Sequence, residues 1–322
     1  MATGEDLRLA TSGGLPAGEV LVGAGGPEGP EREFTVKPRS HKEMVLRRFL
    51  HHRLAVAALF VLFIVMGLAL FGSHIWHYTY TFQSNDLSQA PSLKHPFGTD
   101  ELGHDTFARV LRGANKSVII ALMVATLSTG FGTLVGAIAG FYRGWIDSVL
   151  MRATDLMLTI PYYAAAAALA YQFGGRSNGW VYLAVILAAF GWMIIARIVR
   201  GVFLSLREKE YVEAARALGA RNRRIIFRHL LPNAVGPIIV NATLVVAGAI
   251  LAETALSFIG LGIQPPDTSL GQLVAVGQQA ATTRPWLFYF PGLFLIVIVL
   301  SINFVGDGLR DAFDPTQTRV RA

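Results

Sequence analysis

The segment Glu210–Asn233 reads EYVEAARALGARNRRIIFRHLLPN and lies between two long apolar runs. Its residue types point to contact chemistry rather than catalysis. REKEYVEAARAL is built from strong helix formers. Glu213 and Arg216 are spaced as i,i+3 partners on a solvated side. Ala214, Ala217 and Leu218 share another side, small and mildly apolar. Gly219 follows where a helix commonly ends on a left-handed residue. RNRRIIFRHL predicts a second, basic helix, stopped at Leu231-Pro232 because proline lacks the N–H a helix interior needs. A loop that only attracted anionic lipid would need only the arginines. The alanine side, glycine stop and proline-bounded return predict a rigid elbow on which another protein can dock closely.

Other constellations carry less. With no cysteine among 322 residues there is no thiolate metal site and no cysteine nucleophile. GAGGPEGP, near the start, lacks the Gly-Lys-Ser/Thr ending of a phosphate loop. No H-E-x-x-H occurs, VGDG (305–308) has no evident second aspartate, and His51-His52 sits among basic residues as a solvated pair. His104 and Asp105 are adjacent in sequence and do not face each other on a helix. No catalytic residue and no metal site is assigned.

The elements that hold the elbow are membrane spans. The chain is 53% hydrophobic and only 15% charged, and the apolar residues come in blocks near the ~20-residue length that crosses a bilayer. Six are read, at 54–72, 117–141, 149–171, 180–200, 234–252 and 286–306. Basic residues cluster before the first block and between the fourth and fifth, so alternate connections are basic; both termini are expected in the cytoplasm. Lipid headgroups on that face account for much of the net charge of +7, and no nucleic-acid partner is implied. Residues 1–40 read as a disordered cytoplasmic tail, 41–75 as an anchor helix, and 76–116 as an extracytoplasmic loop. In that loop Thr99 is expected to cap an interfacial helix whose Phe107, Val110 and Leu111 lie on the membrane surface. A core at 117–310 contains the elbow loop at 201–233, and 311–322 form a tail.

Inside the spans, Gly132, Gly136 and Gly140 follow Ser128 at intervals of four, a flat ridge for close helix packing in the bundle or between subunits. Asp155 belongs to the interface or to function, and Pro161 follows it. Asn241 and Glu253 are candidates for a translocation pathway, with Glu253 preceding a segment broken by Gly260, Gly262 and Pro265-Pro266 and expected to be re-entrant.

EYVEAARALG, followed at the right distance by LLPN, resembles the EAA loop of binding-protein-dependent ABC importer permeases. The pattern is E-A-A, three residues, G, nine residues, I-x-L-P. Glu213, Ala214, Ala215, Gly219, Leu231 and Pro232 match it, and His229 stands at the isoleucine position. HPFGTDELGHDTFARVLRGA, GWIDSVLMRATDLMLTIP, ILAETALSFIGLGIQPP and VGDGLRDAFDP resemble the second ("C") permease of the peptide/nickel branch, over roughly 45–315. The resemblance implies an all-α polytopic membrane protein of the type I ABC importer permease fold. It implies half of a pathway for di- or oligopeptides, coupled through Glu213, Ala214, Ala215, Leu218, Gly219, Leu231 and Pro232 to separate ATPases. Implied partners are a homologous second permease, two ATPase subunits that use the ATP and Mg, an extracytoplasmic substrate-binding protein, and membrane lipid; no cofactor is bound by this chain. Nickel and glutathione permeases share these motifs. An ATP-independent transporter would leave the elbow unexplained, and an intramembrane enzyme would need a catalytic motif that is not found.

Overall fold

The computed structural model describes residues 41–173 and 178–314; the expected 1–40 tail and residues 315–322 lie outside them. Among the described residues, α1 (His41–His51) leads into α2 (Arg53–Ile75), and an irregular segment leads to α3 (Thr106–Tyr142). There follow α4 (Gly144–Leu158), α5 (Tyr162–Phe173), α6 (Gly179–Leu206) and the short α7 (Glu210–Ala217). Then come α8 (Asn222–Arg224), a π-helical turn (Ile225–Leu230), α9 (Leu231–Phe258), α10 (Leu270–Gln279) and α11 (Trp286–Phe313). Five helical segments are long and apolar enough to cross a membrane, and the pair α4–α5, bent by 75°, makes a sixth. The bend falls at Pro161, which has no N–H to continue the ladder and pushes the residue before it out of the helical region.

The bundle is centred on α3, which lies along α6 on one side and α9 on another, with α11 against α2, α9 and α10. The contact with α6 is close because α3 presents glycines. A Cβ at Gly132 would stand 2.6 Å from the Trp192 carbonyl, at Gly136 2.4 Å from that of Ala196, and at Gly140 2.7 Å from the Phe203 Cβ. Ser128 continues the row and donates to the Ala188 carbonyl at 3.2 Å. The ridge therefore packs within this chain's own bundle.

The expected interfacial helix does not form as a separate element. Residues 106–116 are the opening turns of α3, which runs 37 residues without a break. Asp105 is the cap, accepting from the Ala108 N–H at 2.7 Å, while Thr99 lies buried in the preceding loop. Val110 and Leu111 are buried. The physical reason is periodicity: Val110, Ala114, Val118, Ala121 and Ala125 make one uninterrupted helical stripe, all buried, so no stop separates a surface helix from the span.

A second expectation also fails. Pro232 does not stop the basic helix. The helical run is continuous from Asn222 to Phe258, because the π turn shifts the hydrogen-bond register just before the proline: the Leu231 N–H donates to Ile226, five residues back. The wider turn also places Ile225 and Leu230 on one buried face, whereas five residues of α-helix would set them about 140° apart. After α9 the chain turns at Gly260 and stays irregular to Ser269, which caps α10 by accepting from the Gln272 N–H at 3.1 Å.

Candidate coupling surface

At the end of the bundle where α6 meets α9, α7 projects from a small core of its own. Val212 is fully buried among Phe141, Val199, Phe203, Ile225, Leu230 and Ala234. It is the root of the elbow. Burying one valine contributes on the order of 1.5 kcal/mol or more, enough to fix the orientation of an eight-residue helix too short to be stable alone. The turn leading into it is tied down by Arg207, which donates to the Phe141 carbonyl at 2.5 Å. Burial, together with the like charges of Arg216 and Arg143, holds the Arg207 guanidinium below its usual value.

The helix ends as its sequence requires. Gly219 has φ +78°; its N–H donates to Arg216 at 2.9 Å and that of Ala220 donates to Ala215 at 3.0 Å. These two bonds are a Schellman ending, for which glycine alone avoids a Cβ penalty. The outer side of α7 is uncovered. Tyr211, Ala214 and Ala217 are exposed, and Leu218 is 88% exposed. Glu213 is exposed too, and among the described residues no ion pair joins it to Arg216, contrary to the expected i,i+3 partnership. Ala215 and Leu231 are half-buried and Pro232 exposed. The structure thus gathers Glu213, Ala214, Ala215, Leu218 and Gly219 on one small elbow and leaves Leu231 and Pro232 beyond the π turn, as part of its support.

The two pathway candidates do not share a place. Asn241 borders a groove of about 550 Å³ beside the α4–α5 break, with Pro161, Tyr162, Phe190, Gly191 and Gly248. Its amide donates to the Pro237 carbonyl at 2.8 Å. Glu253 is not among the residues that line that groove. It is 0% exposed and its carboxylate accepts from Ser257 and Ser269 at 2.6 Å each and from Ser117 at 3.2 Å. It joins α9 to α3 and to the cap of α10. Beside it, Asp267 accepts from Arg112 at 2.8 and 3.2 Å and pairs with Lys116 at 2.9 Å. Burial pushes the Asp267 carboxyl up, but the two cations outweigh it and hold it below the ordinary carboxylate value. Lys116 also stands 4.4 Å over the Trp180 ring. His104 and Asp105 turn to different partners, Asp100 and His95, and the described residues contain no cluster suited to a metal ion.

Comparison with known proteins gives the family and the fold. Residues 132–319 match the family described as binding-protein-dependent transport system inner membrane component. The chain belongs to that family. Residues 42–96 of this permease component also match the N-terminal transmembrane domain of oligopeptide transport permease C. It is 46% identical over 283 residues to the oligopeptide transport system permease protein OppC of Mycobacterium tuberculosis H37Rv, covering 88% of this chain and 97% of that one. It is 39% identical over 290 residues to the dipeptide transport system permease protein DppC of Alkalihalophilus pseudofirmus, 89% and 93% of the two chains. A solved structure of the MetNI methionine ABC transporter superimposes with TM-score 0.52 at 20% identity, over 64% of this chain and 96% of that one, which supports the fold. The permease component is a multi-pass protein of the inner membrane, all-helical in its spans.

Sequence reasoning missed the residues that set the geometry. Val212 is one apolar position in a charged helix, and only its spacing from the small side at 214, 217 and 218 hinted at a second face. Ser117 and Ser269 are distant from Glu253 in sequence and carried no signal that they meet it.

Proposed function

We propose that this chain is one permease subunit of an ATP-driven importer of di- or oligopeptides, and that α7 is the helix that seats on a separate ATPase subunit. The chain forms half of a pathway with a homologous second permease. ATP and Mg are used by the ATPase subunits, and an extracytoplasmic binding protein delivers the substrate. The end bearing α7 and both termini face the cytoplasm. The peptide substrate is supported by relatives named for oligopeptide and dipeptide transport.

The observation that carries the reading is the contrast within α7: one residue, Val212, roots it, and the rest of its apolar side is left uncovered. Eight residues with a rigid stop and a small-residue face suit a groove on a partner. Displacement of α7 would reach α6 through the turn at Arg207 and α9 through the π turn, the two connections that bracket it. ATP-dependent closure of the partner would then bias two arrangements of the spans, as a ligand does through differential contacts. The groove at Asn241 lies between α3, α5, α6 and α9 and offers an aromatic-lined surface to a passing peptide.

Because the chain has no cysteine, an Ala214→Cys variant carries one thiol. In the purified complex with its second permease and ATPases, that thiol should cross-link to an ATPase subunit. Glu213→Ala combined with Gly219→Leu should lower peptide uptake into proteoliposomes by about tenfold or more, with unchanged insertion. Uptake at the wild-type rate, together with no cross-link, would defeat the assignment.

A further inference from the structure

Two ion pairs join α4 to α6, and they are unlike. Arg200 grips Asp147 through two hydrogen bonds, at 2.5 and 2.6 Å, and the Asp147 side chain is 15% exposed. Arg197 donates to Asp155 through one hydrogen bond, and the two side chains are 50% and 49% exposed. The first pair suffices to tie the helices. The second adds little to the tie, because an exposed ion pair contributes about 0–1 kcal/mol. We infer that Asp155 and Arg197 form a receiving site for the charged ends of a peptide, with Arg197 taking the C-terminal carboxylate and Asp155 the N-terminal ammonium. The inference rests on the peptide-importer reading of the groove at Asn241.

Position is the first argument. The groove takes Met157, Leu158 and Ile160 from the bent α4–α5 pair, and Phe190 and Ile194 from α6. Every α4–α5 residue that lines it follows Asp155, and every α6 residue that lines it precedes Arg197. The two helices run in opposite directions, since 147 pairs with 200 and 155 with 197. Asp155 and Arg197 therefore stand together at one end of the groove. Ile194 and Arg197 are i,i+3 neighbours on one side of α6, about 4.5 Å apart along its axis. From there α6 continues to Leu206 and the turn before α7, so this is the end nearer the elbow.

Chemistry is the second. No residue that lines the groove carries a charge. A peptide with free ends brings a cation and an anion, and an apolar wall leaves both without a partner, which is costly. Past the groove, toward α7, the first charged residues on α4 and α6 are Asp155 and Arg197. In the described hydrogen bonds Arg197 uses only Nη2 and Asp155 only Oδ1. The remaining guanidinium N–H groups suit a carboxylate, and Oδ2 suits an ammonium. Opening the pair costs little, and each member regains a charged partner on the peptide.

The test uses the assembled complex with its second permease and ATPases. Because this chain has no cysteine, Ile194→Cys gives it one thiol, at a groove-lining position that is 63% exposed. Maleimide labelling of that thiol is followed by mass mapping of this chain, without nucleotide and without the binding protein, so that only the groove meets the peptide. Trialanine should slow labelling severalfold, and N-acetyl-trialanine amide, which has no charged end, should leave the rate unchanged. Asp155→Leu/Arg197→Leu keeps an apolar contact between α4 and α6 and should melt close to wild type, yet trialanine should no longer protect the thiol. Asp155→Asn/Arg197→Gln, nearer in shape, serves the same comparison if the leucines loosen the bundle. Equal protection by the free and the blocked peptide, protection by neither, or full protection by trialanine in the uncharged variants overturns the inference. Uptake of trialanine by the wild-type complex in proteoliposomes, with the binding protein present, is measured in parallel. Its absence removes the peptide reading itself, whereas uptake with equal protection removes only the receiving site.

Discussion

The two ends of the bundle treat their polar residues in opposite ways. At the end where α3 begins, a set of buried and half-buried polar side chains is partnered within the chain: Glu253 with three serines, Asp267 with Arg112 and Lys116, and His95 between Asp105 at 2.7 Å and Asp86 at 3.3 Å. Asp105 also accepts from Trp76 at 3.1 Å while it caps α3. At the elbow end, the charged residues of α7 are exposed, and among the described residues Arg221, Arg223 and Arg224 make no ion pair. A buried polar group left unpaired costs about 1–3 kcal/mol, so these buried groups gain by being paired within the chain. An exposed group incurs no such cost, so the second can keep its charges available for another molecule. One end pairs its polar groups within the chain; the other leaves its charges exposed.

The sharpest way to break this comparison is Glu253→Ala. It removes an acceptor shared by Ser117, Ser257 and Ser269 and leaves a hole between three helices, a loss of about 3 kcal/mol or more. A fall of many degrees in detergent melting temperature is expected, with a smaller fall for Glu253→Gln, which keeps the shape and one carbonyl acceptor. A melting temperature within a degree of wild type for the alanine variant would mean that the buried network holds nothing.

Acidity probes the same end more gently. Asp267 is held below its ordinary value of 3.8 by Arg112 and Lys116 despite burial. A lowered carboxyl favours the folded state at every pH above that ordinary value, and the contribution fades as pH falls through the folded-state value. Melting temperature should therefore be flat in this respect from neutral pH down to about 4 and drop below it, and Asp267→Asn should remove that part of the drop. A wild-type curve that superimposes on the Asp267→Asn curve across acid pH would show the pair to be idle.

The smallest expected effect on stability belongs to the elbow. Leu218→Ser replaces a side chain that is 88% exposed, so unfolding should change by less than about 0.5 kcal/mol, while ATPase-coupled uptake falls severalfold. A variant that melts much earlier would show that α7 is covered by this chain's own residues, and the contrast between the ends would dissolve.

Much of the fold was legible because a bilayer imposes simple rules. A block of about 20 apolar residues has few alternatives to a spanning helix, and the six blocks of the sequence became the spans, with the third bent at Pro161 as its proline invited. The alanine side at 214 and 217 and Gly219 located the elbow and its stop from local chemistry, and the E-A-A pattern added a family resemblance. What the sequence concealed was continuity and contact. The opening turns of α3 read as a surface helix because their apolar side could serve a membrane surface or a core equally well; only the neighbours, such as Gly72 against Leu111, chose the core. Pro232 read as a stop because proline breaks an α-helix, and only the π turn before it absorbed the missing bond. Glu253 read as lining a pathway because a carboxylate in a membrane helix needs polar company. Residue type states that need, but the company came from Ser117 and Ser269, 136 and 16 residues away, and distances in sequence that large are closed only by tertiary packing.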